Sequence, residues 1–400
     1  MDGVVLLQLA FLNYRKNSYI LLEGKDTTDR FFIIQSGQVR CSKVLNVVED
    51  KILGPGDFVG VVPCMAGRPQ TETVIAMTDV VLISVRREQY IELVTSNTPV
   101  ALKIIRTFSE RMRNLNDFLA KLTLKSNTIA SPEQLYSIAA YYEESGNIDV
   151  ASYGFYQYLK ACPRGPMAEN AKRRFVALKP RSKAVYYEPS ADQLRTYPKN
   201  TMIFSECQSG SDMFIIQSGQ VKITKFVDNN EVTLAVLKKG EFFGEMALLE
   251  NKPRSASAIA FEDCRLLVVN KQNFNQMVQT QAKMIFQITT TFAERLWSMD
   301  RQLENTAIVD PINKLLDMLA LQIEKMRIPY SKGSNYQFDI TPVDLCNMCG
   351  IPKEEQPQII QTFETNSRIK LISNKIFVKD VEDLISFSIY CRNHSVKKAV

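Results

Sequence analysis

Eight consecutive residues occur twice in this chain. Phe32-Ile33-Ile34-Gln35-Ser36-Gly37-Gln38-Val39 returns letter for letter as Phe214-Ile215-Ile216-Gln217-Ser218-Gly219-Gln220-Val221. The identity brings a frame with it. Upstream, Lys16-Asn17-Ser18 and Glu23 answer Lys199-Asn200-Thr201 and Glu206. Downstream a constant offset of 184 pairs Gly56 with Gly240, Phe58 with Phe242, Gly60 with Gly244, Pro69 with Pro253, Asp79 with Asp263 and Arg111 with Arg295. Such self-similarity means two copies of one structural unit, over residues 1–125 and 187–310. A length of 400 residues leaves room for them, since roughly two to four domains fit in it.

Each copy reads as short strands between Gly, Asn, Asp and Lys-rich turns. In the second these are Met213–Gln217, Gln220–Phe226, Val232–Leu237 and Cys264–Val269, a spacing that predicts a sandwich or barrel. Each copy closes on a long helix with a narrow apolar stripe: Ile104, Phe108, Met112, Leu115 and Leu119 in the first, Ile288, Phe292, Leu296, Met299 and Leu303 in the second. The stripe suits either helix-on-helix packing or the core of its own domain. If the two helices pair within one chain, the copies form a pseudo-dimer; a homodimer is the alternative. The expected fold class is therefore α+β and multidomain, with two β-roll or jelly-roll domains.

Between the copies, residues 126–186 have another texture. Leu135, Ala139, Tyr142, Gly146, Ala151, Phe155, Tyr158 and Pro163 follow the 34-residue helix-turn-helix pattern of a tetratricopeptide repeat. A helix over Met167–Leu178 and a linker at 179–182 come next. One such unit buries no core alone, so it leans on a neighbour, and it offers a surface for a protein partner. The run Lys172, Arg173, Arg174, Lys179, Arg181 and Lys183 reads as a solvated face, with an anion site as the alternative.

Composition narrows the chemistry. The chain has a single histidine, His394, so catalytic triads and His-rich metal sites are nearly excluded. Eight cysteines in 400 residues do not make a disulfide scaffold, and a reducing cytoplasm is the expected location. No stretch reaches the roughly 20 apolar residues of a spanning helix, so no membrane role is expected. The apolar run Val4–Leu12 is read as a docking helix or strand rather than a leader. A net charge of +6 permits an anionic partner without demanding one.

The most informative stretch is Phe243 to Ser257. Within it stand a turn glycine, Gly244, an acid, Glu245, a short apolar turn starting with Met246 and Ala247, and then Pro253-Arg254-Ser255-Ala256. Arg254 can close on an anion with charge-assisted hydrogen bonds, and Glu245 can accept from a hydroxyl pair such as ribose presents. Ala247, Ser255 and Ala256 leave room for the ligand. The segment resembles the phosphate-binding cassette of cyclic-nucleotide-binding domains. The resemblance implies that Glu245 holds the ribose 2′-hydroxyl and that Arg254 neutralises the cyclic phosphate. It also implies base contacts from Met299 and Asp300 on the second long helix. Asp300 can accept from an adenine amino group or from guanine N1 and N2; cyclic AMP is the first candidate and cyclic GMP the second. The first copy keeps Gly60 and Pro69 but has Val61 for Glu245 and Gln70 for Arg254. That copy should bind no cyclic nucleotide, because a buried phosphate would lack its counter-charge.

Residues 311–390 read as a helix over Ile312–Lys325, a capped helix starting at Thr341, a turn at Gly350, a second helix to about Asn366, and strands near Lys370–Ile372 and Lys375–Val378. This is a winged helix-turn-helix layout. The order over 187–380 resembles the Crp/Fnr family of transcription factors, with a hinge at Asp310. DNA contact would fall to Lys353, Gln356 and Gln358. Against it, Pro357 would lie past the first turn of the recognition helix, Glu354 and Glu355 would face phosphates, and 311–400 holds twelve Lys and Arg against ten Asp and Glu. DNA binding and protein contact therefore stay open as rival uses of this module. Cys346, Cys349, Cys391 and His394 have a spacing that suits zinc, but buried Cys more often fills a core, and no metal is expected. No region remains for a catalytic core, so the chain is expected not to be an enzyme.

Overall fold

The repeat in the sequence becomes a repeat in strand order. The structure is a computed structural model and describes residues 9–25, 29–43, 50–124, 131–187, 193–227 and 230–395. Most of the Val4–Leu12 run lies outside them; its end enters the first strand. In the first copy the elements are β1 (Ala10–Tyr14), β2 (Tyr19–Leu21), β3 (Arg30–Ser36), β4 (Val39–Ser42), β5 (Lys51–Leu53), β6 (Phe58–Val59), α1 (Val61–Ala66), β7 (Thr73–Ala76), β8 (Val80–Arg86), α2 (Tyr90–Ser96) and α3 (Thr98–Leu124). They form two antiparallel sheets, β1-β8-β3-β6 and β2-β7-β4-β5, closed over Phe32, Ile34, Val39, Val59, Val74 and Leu82.

Next come α4 (Gln134–Glu144), α5 (Ile148–Ala161) and α6 (Ala168–Leu178), packed on one another around Leu135, Ala139, Phe155 and Tyr158. The second copy then runs through β9 (Leu194–Tyr197), β10 (Met202–Phe204), β11 (Met213–Ser218), β12 (Val221–Val227), β13 (Asn230–Leu237), β14 (Phe242–Phe243), α7 (Glu245–Glu250), β15 (Ser257–Ala260), β16 (Cys264–Val269), α8 (Lys271–Thr280) and α9 (Ala282–Thr306). Its sheets, β9-β16-β11-β14 and β10-β15-β12-β13, repeat the first pair strand for strand. The glycine of the octamer has a physical reason in both copies. Gly37 and Gly219 sit at φ +86° and +83°, and a Cβ on either would lie 2.3 Å from the carbonyl oxygen of Asp79 or Asp263. Only glycine fits that approach.

The remaining elements are α10 (Pro311–Met326), β17 (Tyr336–Gln337), α11 (Pro342–Met348), α12 (Gln356–Glu364), β18 (Ile369–Ile372), β19 (Lys375–Val378) and α13 (Val381–Ser395). Asp310 caps α10 by accepting from the Asn313 amide at 2.8 Å, with Pro311 at the first helical position. Thr341 caps α11 in a reciprocal box with Asp344. The strands order as β17-β19-β18. Among the described residues, no helix is long and apolar enough to cross a membrane.

The chain divides into two units, residues 1–125 with 282–400, and residues 126–281. The division falls between Gln281 and Ala282, inside the segment 187–310 that the repeat defined. Helix α9 packs on α3 and α1 of the first copy, so both apolar stripes are covered in the first unit: Ile104, Phe108, Met112, Ile288, Phe292 and Leu296 are all buried. Charge follows apolar contact. Asp300 is 1% exposed and accepts from Lys43 Nζ at 2.8 Å and Arg111 Nη2 at 2.6 Å. Burial pushes its carboxyl up, and Arg111 and Lys43 more than reverse this, holding it below the ordinary value.

The stability that Asp300 provides is therefore complete above the ordinary carboxylate range, near pH ~4, and is lost as pH falls through the depressed value. Asp300→Ala leaves two cations without their counter-charge and is expected to cost about 3–5 kcal/mol. Urea unfolding at pH 7 measures that loss, and the acid limb of the wild-type stability curve should flatten in the variant.

Candidate functional site

The cassette is built by a turn that only glycine enters easily. Gly244 takes φ +77° between β14 and α7, and this places Glu245 at the first position of the six-residue α7. Glu245, Ala247 and Leu248 are buried, while Met246, Ser255 and Ala256 are partly covered. Beyond α7, Asn251 ends the helix in the left-handed region and the chain returns through Pro253 into β15. That return carries Arg254 back to the glycine: its Nη1 donates to the Gly244 carbonyl oxygen at 2.6 Å. Ser255 Oγ lies 3.6 Å from Met246 Sδ, drawing the two arms of the loop together. The cassette residues Gly244 to Ala256 thus form one local constellation.

Arg254 is the energetic centre of it. The residue is 5% exposed, its guanidinium stacks 4.2 Å from the centre of the Phe204 ring, and its Nε has no hydrogen-bond partner among the described residues. Burial lowers its pKa to about 10, although Asp212, Tyr153 and Glu245 all pull it the other way. A cation held dry and partly unsatisfied is costly, and an incoming anion relieves that cost. Two residues that sequence reasoning missed shape its seat. A Cβ on Gly210 would lie 2.7 Å from the Arg254 Nε, and Asp212 supplies the largest charge on it. Both stand in the loop between β10 and β11, ten residues or more from any cassette letter, and glycine beside a serine gives no signal of its own.

The first copy keeps the frame and not the charges. Gly60 is at φ +72° and begins α1, whose six residues are all buried. Val61 fills the position of Glu245. Gln70 fills that of Arg254, 4% exposed, with neither amide atom hydrogen-bonded among the described residues. Beside it a cavity of about 240 Å3 is lined by Lys51, Asp57, Glu72 and Arg111.

Three expectations change. Met299 and Asp300, assigned to the base, belong to the first unit, and the oxygens of Asp300 are engaged by Lys43 and Arg111. Helix α9 owes this to its stripe, which is covered there. Gln356, offered to DNA, is 6% exposed and spends its amide on Asn347 Oδ1 and the Ile351 carbonyl oxygen, both at 2.9 Å. It is a buried strut between α11 and α12. Pro357 does not lie past the first turn, because residues 353–355 form a turn and α12 begins only at Gln356. Proline is tolerated there, where its missing amide has no helical partner. Lys353 and Gln358 are exposed, with Glu354 and Glu355 beside them.

The cysteines of the zinc spacing are buried, Cys346 at 0%, Cys349 at 6% and Cys391 at 5%. Burial raises all three thiols, that of Cys391 to about 11, which opposes the thiolate that a metal needs. His394 is exposed and stacks on Tyr390. Among the described residues, no group of three or more His, Cys, Asp or Glu converges as a metal site.

Comparison with known proteins agrees with the frame. Residues 11–97 and 194–281 each match the cyclic nucleotide-binding domain family. It is 26% identical over 195 residues to the cyclic AMP receptor protein of Thermus thermophilus, across 47% of this chain and 84% of that protein. It is 38% identical over 91 residues to cGMP-dependent protein kinase 2 of Homo sapiens, across 22% of this chain and 12% of the kinase. Among solved structures, CprK in complex with OCPA aligns over 48% of this chain and 87% of that one, at 15% identity and a TM-score of 0.40.

Gly244→Ala tests the seat of Arg254. Its Cβ would meet Arg254 Nη1 at 2.7 Å and the Asp212 carbonyl oxygen at 3.2 Å, in a left-handed backbone. The expected destabilisation is about 1–3 kcal/mol, read as a lower midpoint in thermal or urea unfolding.

Proposed function

We propose that the protein is a non-enzymatic, cyclic-nucleotide-responsive regulator of Crp/Fnr type that binds one cyclic mononucleotide per chain, in the second domain. The observation that carries this reading is the pairing of a buried acid at the start of α7 with a buried, incompletely satisfied Arg254 folded back on the same turn. Glu245 meets the ribose hydroxyl and Arg254 the phosphate. The first domain shares the fold and lacks both charges. Cyclic AMP is the favoured ligand and cyclic GMP the alternative; the relatives at hand include a receptor named for one and a kinase named for the other. Ligand shifts the protein only by as much as it prefers one arrangement over another, and the chain leads directly from α8 to α9 and onward to the C-terminal helices.

For those helices, α10 to α13, the order helix, turn, helix and β-ribbon supports a winged-helix-like module. The burial of Gln356 and the exposed Glu354 and Glu355 favour a protein contact over duplex DNA. The α4 to α6 insert, with its tetratricopeptide-like pattern, is a second surface for such a partner. Titration of a duplex pool at several salt concentrations separates the two uses. A DNA reader shows steep salt dependence that tightens with nucleotide, and a scaffold shows none.

Calorimetric titration of the full chain with cyclic AMP, cyclic GMP and cyclic di-GMP should give one site for a mononucleotide. Arg254→Ala should weaken that site by about 2–5 kcal/mol. Gln70→Arg should create no second site, because Val61 still offers nothing to ribose. A stoichiometry of two, or full affinity in Arg254→Ala, overturns the assignment.

A further inference from the structure

Strand β9 carries a charge where its alternation calls for an apolar side chain. Along Leu194-Arg195-Thr196-Tyr197 the first and third residues are exposed and the second and fourth are covered. Leu194 is 45% exposed while Arg195 is 8% exposed and shares its face with the buried Tyr197. A strand that turns leucine outward and arginine inward is opposed by burial energetics, and such broken local rules cluster at functional sites.

Arg195 and Arg254 line the same cavity, of about 710 Å3, bounded by the roll of the second domain and by α5. Both guanidiniums lie on aromatic faces, Arg195 5.0 Å from the Tyr187 ring centre and Arg254 4.2 Å from that of Phe204. Both also influence the hydroxyl of Tyr153, whose pKa burial raises and the two cations lower. Each Nε is buried without a hydrogen-bond partner among the described residues. Lys160 adds a third cation to the lining, and Asp212 is its one carboxylate. The rest of the wall mixes aromatic and aliphatic side chains, among them Tyr187, Val185 and Val268, with neutral polar ones such as Gln157, Gln193 and Asn273. The size, the aromatic surfaces and the convergent donors are those of a small-molecule site.

We propose that this cavity is a second ligand site, separate from the cassette face of Glu245, that takes a small organic oxyanion with an apolar body. The anionic head, a carboxylate or a phosphate monoester, lies between Arg195 and Arg254. Its body rests on the tyrosines. Aromatic stacking fixes both guanidinium planes, and the N–H groups that the Gly244 carbonyl and Tyr197 do not engage remain for the oxygens.

The test is calorimetric titration of the full chain at constant ionic strength with phenyl phosphate, benzoate and the neutral benzyl alcohol, beside a thermal melt. Saturable binding of at least one of the two anions, with none of the alcohol, is expected, and the stronger anion identifies the head group. Arg195→Met should weaken that binding about tenfold or more, raise the melting midpoint by removing a buried charge whose Nε has no hydrogen-bond partner among the described residues, and leave cyclic-nucleotide affinity unchanged. Arg195→Lys, which keeps the charge but not the fork, should weaken the anion less. Absence of saturable binding by both anions overturns the proposal, as does unchanged affinity in both variants. Because Arg195 lies outside the cassette, a failure here leaves the nucleotide assignment standing, and a failed nucleotide titration leaves this one standing.

Discussion

Two neighbouring charges on α9, Asp300 and Arg301, hold the first unit together by facing different partners. Asp300 accepts from Lys43 and Arg111 of the first copy. Arg301, about 100° round the helix, donates to Glu304 at 3.2 Å and Glu324 at 3.1 Å and lies 3.4 Å from Asp317. Asp317 in turn accepts from Ser388 Oγ at 2.6 Å, Arg392 Nη1 at 2.9 Å and Asn305 Nδ2 at 2.9 Å. Every one of these ions would be unfavourable alone. Burial raises the Asp317 carboxyl, yet Arg301 and Arg392 bring it below its ordinary value, so Asp317 stays ionised at neutral pH. One helix thereby joins the first roll to α10 and α13 through charges with few alternative partners, and buried ionic registers of this kind specify an arrangement more than they stabilise it.

The two copies show that a frame and a site are separable. The frame rests on glycines at positive φ, on close backbone approaches and on a sealed apolar core, and both copies retain all of these. The site rests on two side chains. Val61 and Gln70 can replace Glu245 and Arg254 without disturbing the turn, because Gly60 still begins α1 as Gly244 begins α7. The match to the domain family therefore follows the frame in both segments, while ligand binding must be argued from the charges in one.

What could be read from the sequence was what is local. The octamer, the strands from Met213 to Val269, the α9 stripe and the cassette are set by neighbours within a few residues, and their positions in the structure match to within a residue or two. What could not be read depended on distant partners. Asp300 has the letters of a base contact, but its fate was decided by Arg111, 189 residues away. Gln356 looked available because nothing nearby in sequence shows that Asn347 and Ile351 would take its amide. Pro357 depends on the length of the preceding turn, since shifting a helix start by one turn converts a breaker into an ordinary first-turn residue. Arg195 was within reach: the alternation of Leu194 to Tyr197 already put arginine and tyrosine on one face.

Arg254 is shared by both proposed sites. Its Nη1 is committed to the Gly244 carbonyl, its plane to Phe204 and its Nε to nothing, so its remaining hydrogen-bonding capacity is small and directional. A cyclic phosphate on the cassette side and an oxyanion in the cavity would draw on the same cation. Two anions that share one positive charge repel each other and divide its donors, so each lowers the affinity of the other. Linkage requires the two factors to be equal whichever ligand is added first. Both proposed sites therefore depend on the placement of one guanidinium, 5% exposed and stacked on Phe204.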